Sequence, residues 1–273
     1  MKLDYSLHSH TYRCNHAVGD IEDYVSTAIC HGYKIYGVSD HVFLPGIVQP
    51  WVRGNYELLD DYINKYNVSK KFHEKEIEMH LGFECEYSDV FVDYYKHLLK
   101  DRGVEYLICG QHCYFNKDKS FFGYSGSIED VNKLKDDMIS AMKSGLFLYI
   151  AHPDIAFLFT TEVNDLYKKY TKELIDAAIK YNAVFEINRH GLLREHHRHG
   201  NVYIDYPCEY FWKEVAKANI KVVIGGDFHD PKEIEDDVIK EKLDAFIEKC
   251  HIRLSNIKDI YSDYQNKIKQ VIK

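Results

Sequence analysis

Seven short apolar runs, each followed by a longer amphipathic stretch, fill the chain and limit its fold more than any other feature. Short runs rich in β-branched and aromatic residues read as strands, and stretches with an apolar residue every third or fourth position read as helices. Their regular alternation is the pattern of β-α units and a parallel sheet. Strands are expected at 3–7, 35–38, 78–83, 106–109, 146–151, 183–187 and 221–224. Helices are expected at 21–31, 57–74, 89–101, 128–144, 164–181, 209–218 and 231–249, with a further short helix or ordered tail over 255–273. Asp20, Asp89, Ser127 and Asn164 each place a side-chain acceptor just ahead of an amphipathic stretch, which is the N-cap position. No Pro/Gly/Ser-rich linker or low-complexity segment interrupts the series, so one domain over residues 1–273 is expected. Seven repeats with both sheet faces covered suit a closed or nearly closed parallel barrel, and an open doubly wound sheet shares the local pattern.

Composition removes several function classes. With 45% hydrophobic and 29% charged residues the chain is that of an ordinary globular protein, neither disordered nor collagen-like. A net charge of −8 without a long Lys/Arg block gives no electrostatic basis for holding a nucleic-acid backbone. No run approaches the roughly 18 apolar residues of a membrane span, and the N-terminus MKLDYSLHSH lacks the basic-then-apolar order of a signal peptide. A cytoplasmic location with no membrane partner is the expectation, and no sequence feature speaks to oligomeric state. The seven cysteines, odd in number and without a C-x-x-C pair, read as reduced thiols rather than a disulfide framework. Gly225-Gly226 lacks the spacing of a dinucleotide or phosphate loop.

The sixteen histidines carry the chemical signal. A metal-ligand residue stands at the carboxyl end of nearly every expected strand: His8 and His10, Asp40 and His41, Glu84, His112, His152, and Asp227 and His229. A lone histidine after a strand is most often a hydrogen-bonded structural residue, but in a parallel barrel these ends converge on one face, where barrel active sites lie. His8/His10 and Asp227/His229 each put two donors on the same side of an extended segment, because strand side chains alternate with period two. Imidazole nitrogen and carboxylate oxygen suit Zn, Mn or Fe, and the absence of cysteine from this candidate set argues against a structural thiolate zinc site.

The pieces HSH (8–10), His16, SDH (39–41), GFECEY around Glu84, GQH ending at His112, AHPD beginning at His152 and GGDFH ending at His229 resemble the successive motifs of the PHP (polymerase and histidinol phosphatase) family. A stand-alone chain of this size is similar to the histidinol-phosphatases of histidine biosynthesis. The resemblance implies a distorted seven-stranded (β/α) TIM-like barrel, α/β in class, with two or three divalent metals. It implies the ligands His8, His10, His16, His41, Glu84, His112, His152, Asp227 and His229. In that scheme His8, His10, Glu84 and Asp227 surround one metal, Glu84 bridges to a second held by His112 and His152, and His16, His41 and His229 hold a third. His16 lies in a loop and its place in the family varies; without it, two metals are expected. Glu86 is a rival on the same strand face as Glu84, and reads otherwise as a neighbour of the ligands or a surface carboxylate.

Nine such ligands bring two formal negative charges, so three divalent ions would leave the pocket near +4 and attractive to a small dianion. A phosphate monoester fits, attacked by a bridging hydroxide that forms because metals depress the pKa of water to about 7. The expected activity is hydrolysis of L-histidinol phosphate to L-histidinol and phosphate. The alternatives are another phosphate substrate (sugar phosphate, nucleotide, oligonucleotide or phosphotyrosine) or a catalytically silent metal-binding module. The sixth strand ends Glu186-Ile187-Asn188 and enters a loop with three arginines and four histidines between 189 and 199. Guanidinium groups offer bidentate phosphate contacts, and Arg194, then Arg189 and Arg198, are the expected ones, against a solvated basic loop. His190 suits general-acid work at neutral pH. Asp154 is expected to orient a ligand, bind a substrate ammonium or cap a helix, and Asp40 to hold a ligand imidazole or a turn. Tyr114, Phe115, Phe121 and Phe122 follow the fourth strand and either wall the pocket or pack the core.

Overall fold

A computed structural model describes residues 3–194, 196–198 and 200–273, with the backbone alone at 197 and 198. Six parallel ladder strands correspond to the expected ones: β1 (Tyr5–Ser6), β2 (Ile35–Val38), β3 (Glu78–Cys85), β4 (Tyr106–Cys109), β7 (Val184–Asn188) and β10 (Lys221–Gly225). Two short antiparallel hairpins complete the list, β5 (Cys113–Phe115) with β6 (Phe121–Gly123) and β8 (His197–Arg198) with β9 (Asn201–Val202). The helices are α1 (Ile21–Cys30), α2 (Leu59–Phe72), α3 (Val92–Asp101), α4 (Ile128–Ser144), α5 (Asp165–Tyr181), α6 (Glu209–Lys217), α7 (Asp237–Cys250) and α8 (Ile257–Val271).

Strands β1-β2-β3-β4 pair in sequence order, and β7 pairs with β10. The fifth stave, 146–151, forms no ladder of its own and still joins the two sheets. Leu148 N and Ala151 N donate to Leu107 O and Cys109 O at 2.7 and 2.8 Å, and Ile150 N donates to Val184 O at 2.9 Å. The ring closes between the first and last staves, where Ser9 bridges Phe228 in parallel and Asp227 N donates to His8 O at 2.8 Å. The fold is therefore the α/β, TIM-like barrel of seven parallel staves, distorted because three of the joints between neighbouring staves are single bridges. An open doubly wound sheet would leave two unpaired edges, and the contacts between staves one and seven exclude it.

The helix starts follow local chemistry. Asp20 forms a capping box with Asp23 at α1, and Ser127 and Asn164 cap α4 and α5. The remaining expected cap is displaced: Ser88, not Asp89, accepts from Val90 N at the 3-10 turn that leads into α3. The stretch expected as one helix from 231 breaks, because Asp230 caps a 3-10 turn beginning at Pro231 and Asp236 then caps α7 anew. The C-terminal stretch is the full helix α8, lying across the amino ends of the staves: Tyr264 OH donates to Leu146 O and Gln265 Nε2 to Glu105 O. All seven cysteines are free thiols. No helix among the described residues is long and apolar enough to cross a membrane.

Candidate metal centre

The carboxyl ends of the staves gather the expected ligands into one cluster, buried at its centre, half-buried at His112 and His229 and exposed at His16. Glu84, at the end of β3, is its hub: Oε1 lies 3.0 Å from His152 Nε2, 3.4 Å from His8 Nε2 and 3.7 Å from His112 Nε2. Its Oε2 lies 3.1 Å from His41 Nδ1 and 3.5 Å from His10 Nε2. A Cβ at residue 110 would sit 1.7 Å from Glu84 Oε1, so the glycine of GQH is what leaves room for this carboxylate. Asp227 Oδ1 lies 2.9 Å from His10 Nε2 and 3.4 Å from His8 Nε2. The His10 ring is the junction with the outer group, 4.4 Å from His41, 4.3 Å from His229 and 6.4 Å from His16 between centroids. All nine expected ligands thus fall in one cluster, including the loop residue His16, whose Nδ1 is held by Cys14 O at 2.9 Å.

Two of these residues, His152 (φ 32°) and Asp227 (φ 50°), have left-handed backbone conformations. Non-glycine residues at positive φ are uncommon and concentrate where function requires a set geometry.

The cluster's atoms lack partners in a way that fits a cation. His8 Nε2, both ring nitrogens of His10, His41 Nδ1, Glu84 Oε2 and His152 Nδ1 are buried without a hydrogen bond, and buried polar atoms are almost always bonded. Ligand atoms of His8, His10 and Asp227, and of His10, His41 and His229, lie within 4.8 Å of one another. A shared set of imidazole and carboxylate lone pairs suits divalent transition metals. Carboxylates and imidazoles shift one another: burial lowers the His8, His10 and His112 imidazoles, but the neighbouring carboxylates outweigh it and raise all three. Burial raises the Glu84 and Asp227 carboxyls, but the surrounding imidazoles outweigh it and hold both well below the usual range. Burial and the neighbouring His10 push His229 down to about 3 and His41 well below its ordinary value, so both stay neutral and able to ligate.

Supporting partners fix the ligands. Glu186 Oε2 lies 2.8 Å from His8 Nδ1, and Asn188 Nδ2 bridges Glu186 and Asp227 at 2.9 Å each. A Cβ at residue 225 would lie 2.2 Å from the Glu186 carboxyl, which gives the first glycine of GGDFH its role. The alternation Glu186-Ile187-Asn188 put both polar side chains on one face, a signal the sequence analysis recorded without assigning a role. Asp40 accepts from Thr11 N and from His41 N and stands 3.6 Å from His10 Nδ1. Glu86 is buried rather than on the surface, and its Oε1 lies 3.3 Å from His112 Nδ1. Arg53, which the sequence analysis missed, holds the other Glu86 oxygen at 2.6 Å.

The remaining expected residues divide. His190 lies tilted beside His229, with centroids 5.0 Å apart, and its Nδ1 is 3.7 Å from Glu233 Oε2. Arg194 lies over the Tyr206 ring, whose centroid is 5.8 Å from that of His152. Arg189 departs from expectation: its buried guanidinium donates to Glu233 O and Asp236 O and lies over Phe228, bracing the β10–α7 loop instead of facing the cluster. Asp154 also departs. It makes no helix-capping bond, and Oδ2 accepts from Cys208 N and Trp212 Nε1, anchoring the start of α6. Arg198 falls in β8, and its side chain lies outside the described residues. Tyr114 stacks on Phe122 across the β5–β6 hairpin, and Phe115 packs on Phe91.

The PHP domain model matches residues 6–190, which takes in every motif up to His152 and leaves GGDFH beyond its end. A probable histidinol-phosphatase of Deinococcus radiodurans is 25% identical over 248 residues, covering 87% of this chain and 92% of its own. A probable phosphatase of Tolumonas auensis is 25% identical over 234 residues, 84% of this chain and 79% of its own. Among solved structures, histidinol phosphate phosphatase from Lactococcus lactis, complexed with Zn, L-histidinol and phosphate, superposes with a TM-score of 0.67 at 16% identity, covering 93% of this chain and 95% of that one. At that identity the likeness shows the shared barrel.

Proposed function

The chain belongs to the PHP domain family, and from that membership and its site we propose that it is a metal-dependent phosphomonoesterase whose substrate is L-histidinol phosphate. The observation that carries this reading is the convergence of seven imidazoles and two carboxylates at the barrel mouth, with buried ligand atoms left unbonded. His8, His10, Glu84 and Asp227 would hold one divalent cation, Glu84, His112 and His152 a second, and His16, His41 and His229 a third. When bound, such cations neutralise charge on phosphoryl oxygens and bring the pKa of water close to neutrality. The donor set does not choose among Zn, Mn and Fe.

The chain's own residues do the rest. Glu186 and Glu86 orient His8 and His112 by accepting at Nδ1, leaving each Nε2 facing Glu84. Arg194, on the Tyr206 ring beside His152, is placed to meet a phosphate oxygen. His190 is placed to carry a proton to the leaving oxygen. Burial lowers its pKa, but Glu233 and Asp227 outweigh that and keep the ring protonated at higher pH than a free imidazole. The histidinol-phosphatase name of the D. radiodurans relative and the ligands of the L. lactis structure support this substrate. Relatives called simply phosphatase support the broader reading of a phosphoesterase acting on another small phosphate. Steady-state kinetics on metal-loaded protein separates the two. A kcat/KM for L-histidinol phosphate well above that for p-nitrophenyl phosphate is expected, and equal values would overturn the substrate assignment.

A further inference from the structure

The loop between β2 and α2 sends one side chain, Arg53, into the wall of the metal centre. Its guanidinium is buried and each of its nitrogens is bonded: Nη2 donates to Glu86 Oε2 at 2.6 Å, Nε to Gln49 Oε1 at 2.7 Å and Nη1 to Val42 O at 2.9 Å. Val42 follows His41, and Glu86 stands two residues after Glu84 and bonds His112. The Arg53 carbonyl in turn accepts from Asn15 Nδ2 at 3.3 Å, one residue before His16. Arg53 therefore ties together four segments that carry ligands: its guanidinium holds those of His41 and Glu84, Glu86 extends the link to His112, and its backbone carbonyl reaches that of His16.

Glu86 has two possible fates beside a metal. Ligand atoms of His41, Glu86 and His112 lie within 4.8 Å of one another, so its carboxylate is within reach of a cation held there. A carboxylate this deeply buried needs a cation or several donors; Arg53 supplies the cation and one hydrogen bond, and His112 Nδ1 bonds the other oxygen. We propose that Arg53 is a positioning residue that keeps Glu86 off the metal and fixed on His112 Nδ1, so that His112 presents Nε2 to the centre. The three acceptors around the guanidinium lie in directions that a lysine ammonium, with its single nitrogen, cannot serve together. The inference rests on the metal-binding reading above.

Cobalt(II) substitution tests it through the visible d–d bands, which report the number and kind of ligands, and through competition with a chelator. E86Q is expected to keep the wild-type bands, because Glu86 is not a ligand, while binding cobalt about 10–100-fold more weakly, the usual cost of losing a partner behind a ligand. R53M is expected to change the bands as the freed carboxylate reaches the metal, and R53M/E86Q to return them to the wild-type form. Changed bands in E86Q, unchanged bands in R53M, or a double variant that keeps the R53M spectrum would overturn the proposal. If R53M does not fold, E86Q decides alone by the same criteria. Wild-type protein that takes up no cobalt would overturn the metal reading itself, an outcome distinct from wild-type binding with unaltered variants.

Discussion

Glu84 lies within 3.7 Å of five imidazoles, and no other carboxylate in the cluster touches so many. Its role was legible in the sequence because a carboxylate ends a strand inside GFECEY, whereas the roles of Arg189 and Arg194 were not. Both arginines follow the same strand, and only packing decides that one braces Glu233 and Asp236 while the other lies on Tyr206. Substitution should separate them. R194A is expected to raise KM about tenfold or more, the effect of losing a charged phosphate contact. R189A is expected to leave KM near wild type and cost about 2 kcal/mol of stability by orphaning buried carbonyls, as urea unfolding would measure. For His190, a general-acid role predicts that H190N lowers kcat about 100-fold or more on an alkyl phosphate. The loss should be far smaller on p-nitrophenyl phosphate, whose leaving group needs no proton. Equal losses on both substrates would assign His190 to structure.

Elements with a strong local signal appeared where the periodicity placed them, as α1, α4 and α5 did with their caps. The hairpins β5–β6 and β8–β9 did not, because strands of two or three residues are too short to show a period. The segment 146–151 was read as a strand and serves as a stave, but single bridges on both sides replace a ladder. The docking of α8 depends on contacts that no local pattern encodes. Glu105, just ahead of β4, gathers His80 Nδ1, Lys70 Nζ, Tyr66 OH and the α8 side chain Tyr261 OH within 3.0 Å. Burial alone would raise its pKa, but the hydrogen bonds from His80, Lys70 and Tyr66 prevail and bring it down to about 2. A carboxylate with a folded pKa below its unfolded value adds stability that is complete above the unfolded pKa, about 4.3, and is lost as pH falls toward the folded one. Wild-type protein should therefore exceed E105Q in urea stability at pH 6, and the gap should narrow steadily between pH 4.5 and 2.5. A gap independent of pH would show that the carboxylate charge does not hold this end of the barrel.

For the molecule as a whole, barrel closure and ligand convergence are one event. The hydrogen bond from Asp227 N to His8 O that joins the first and last staves also sets the two X-x-His pairs side by side. The motifs foretold this meeting, since ligands at the ends of parallel staves have one face to share. The left-handed backbones at His152 and Asp227 and the supporting set of Glu186, Asn188 and Arg53 were not foretold, because they depend on side chains meeting across the barrel. A cation bound only by the folded state adds its binding free energy to stability. The most direct test is calorimetric titration of chelator-stripped protein with Zn²⁺ or Mn²⁺, with phosphomonoesterase activity followed in parallel. The account predicts about two or more tightly bound equivalents per chain, activity that rises with occupancy, and loss of both in E84Q. Stripped protein that binds less than about one equivalent, or that gains metal without activity, would contradict it.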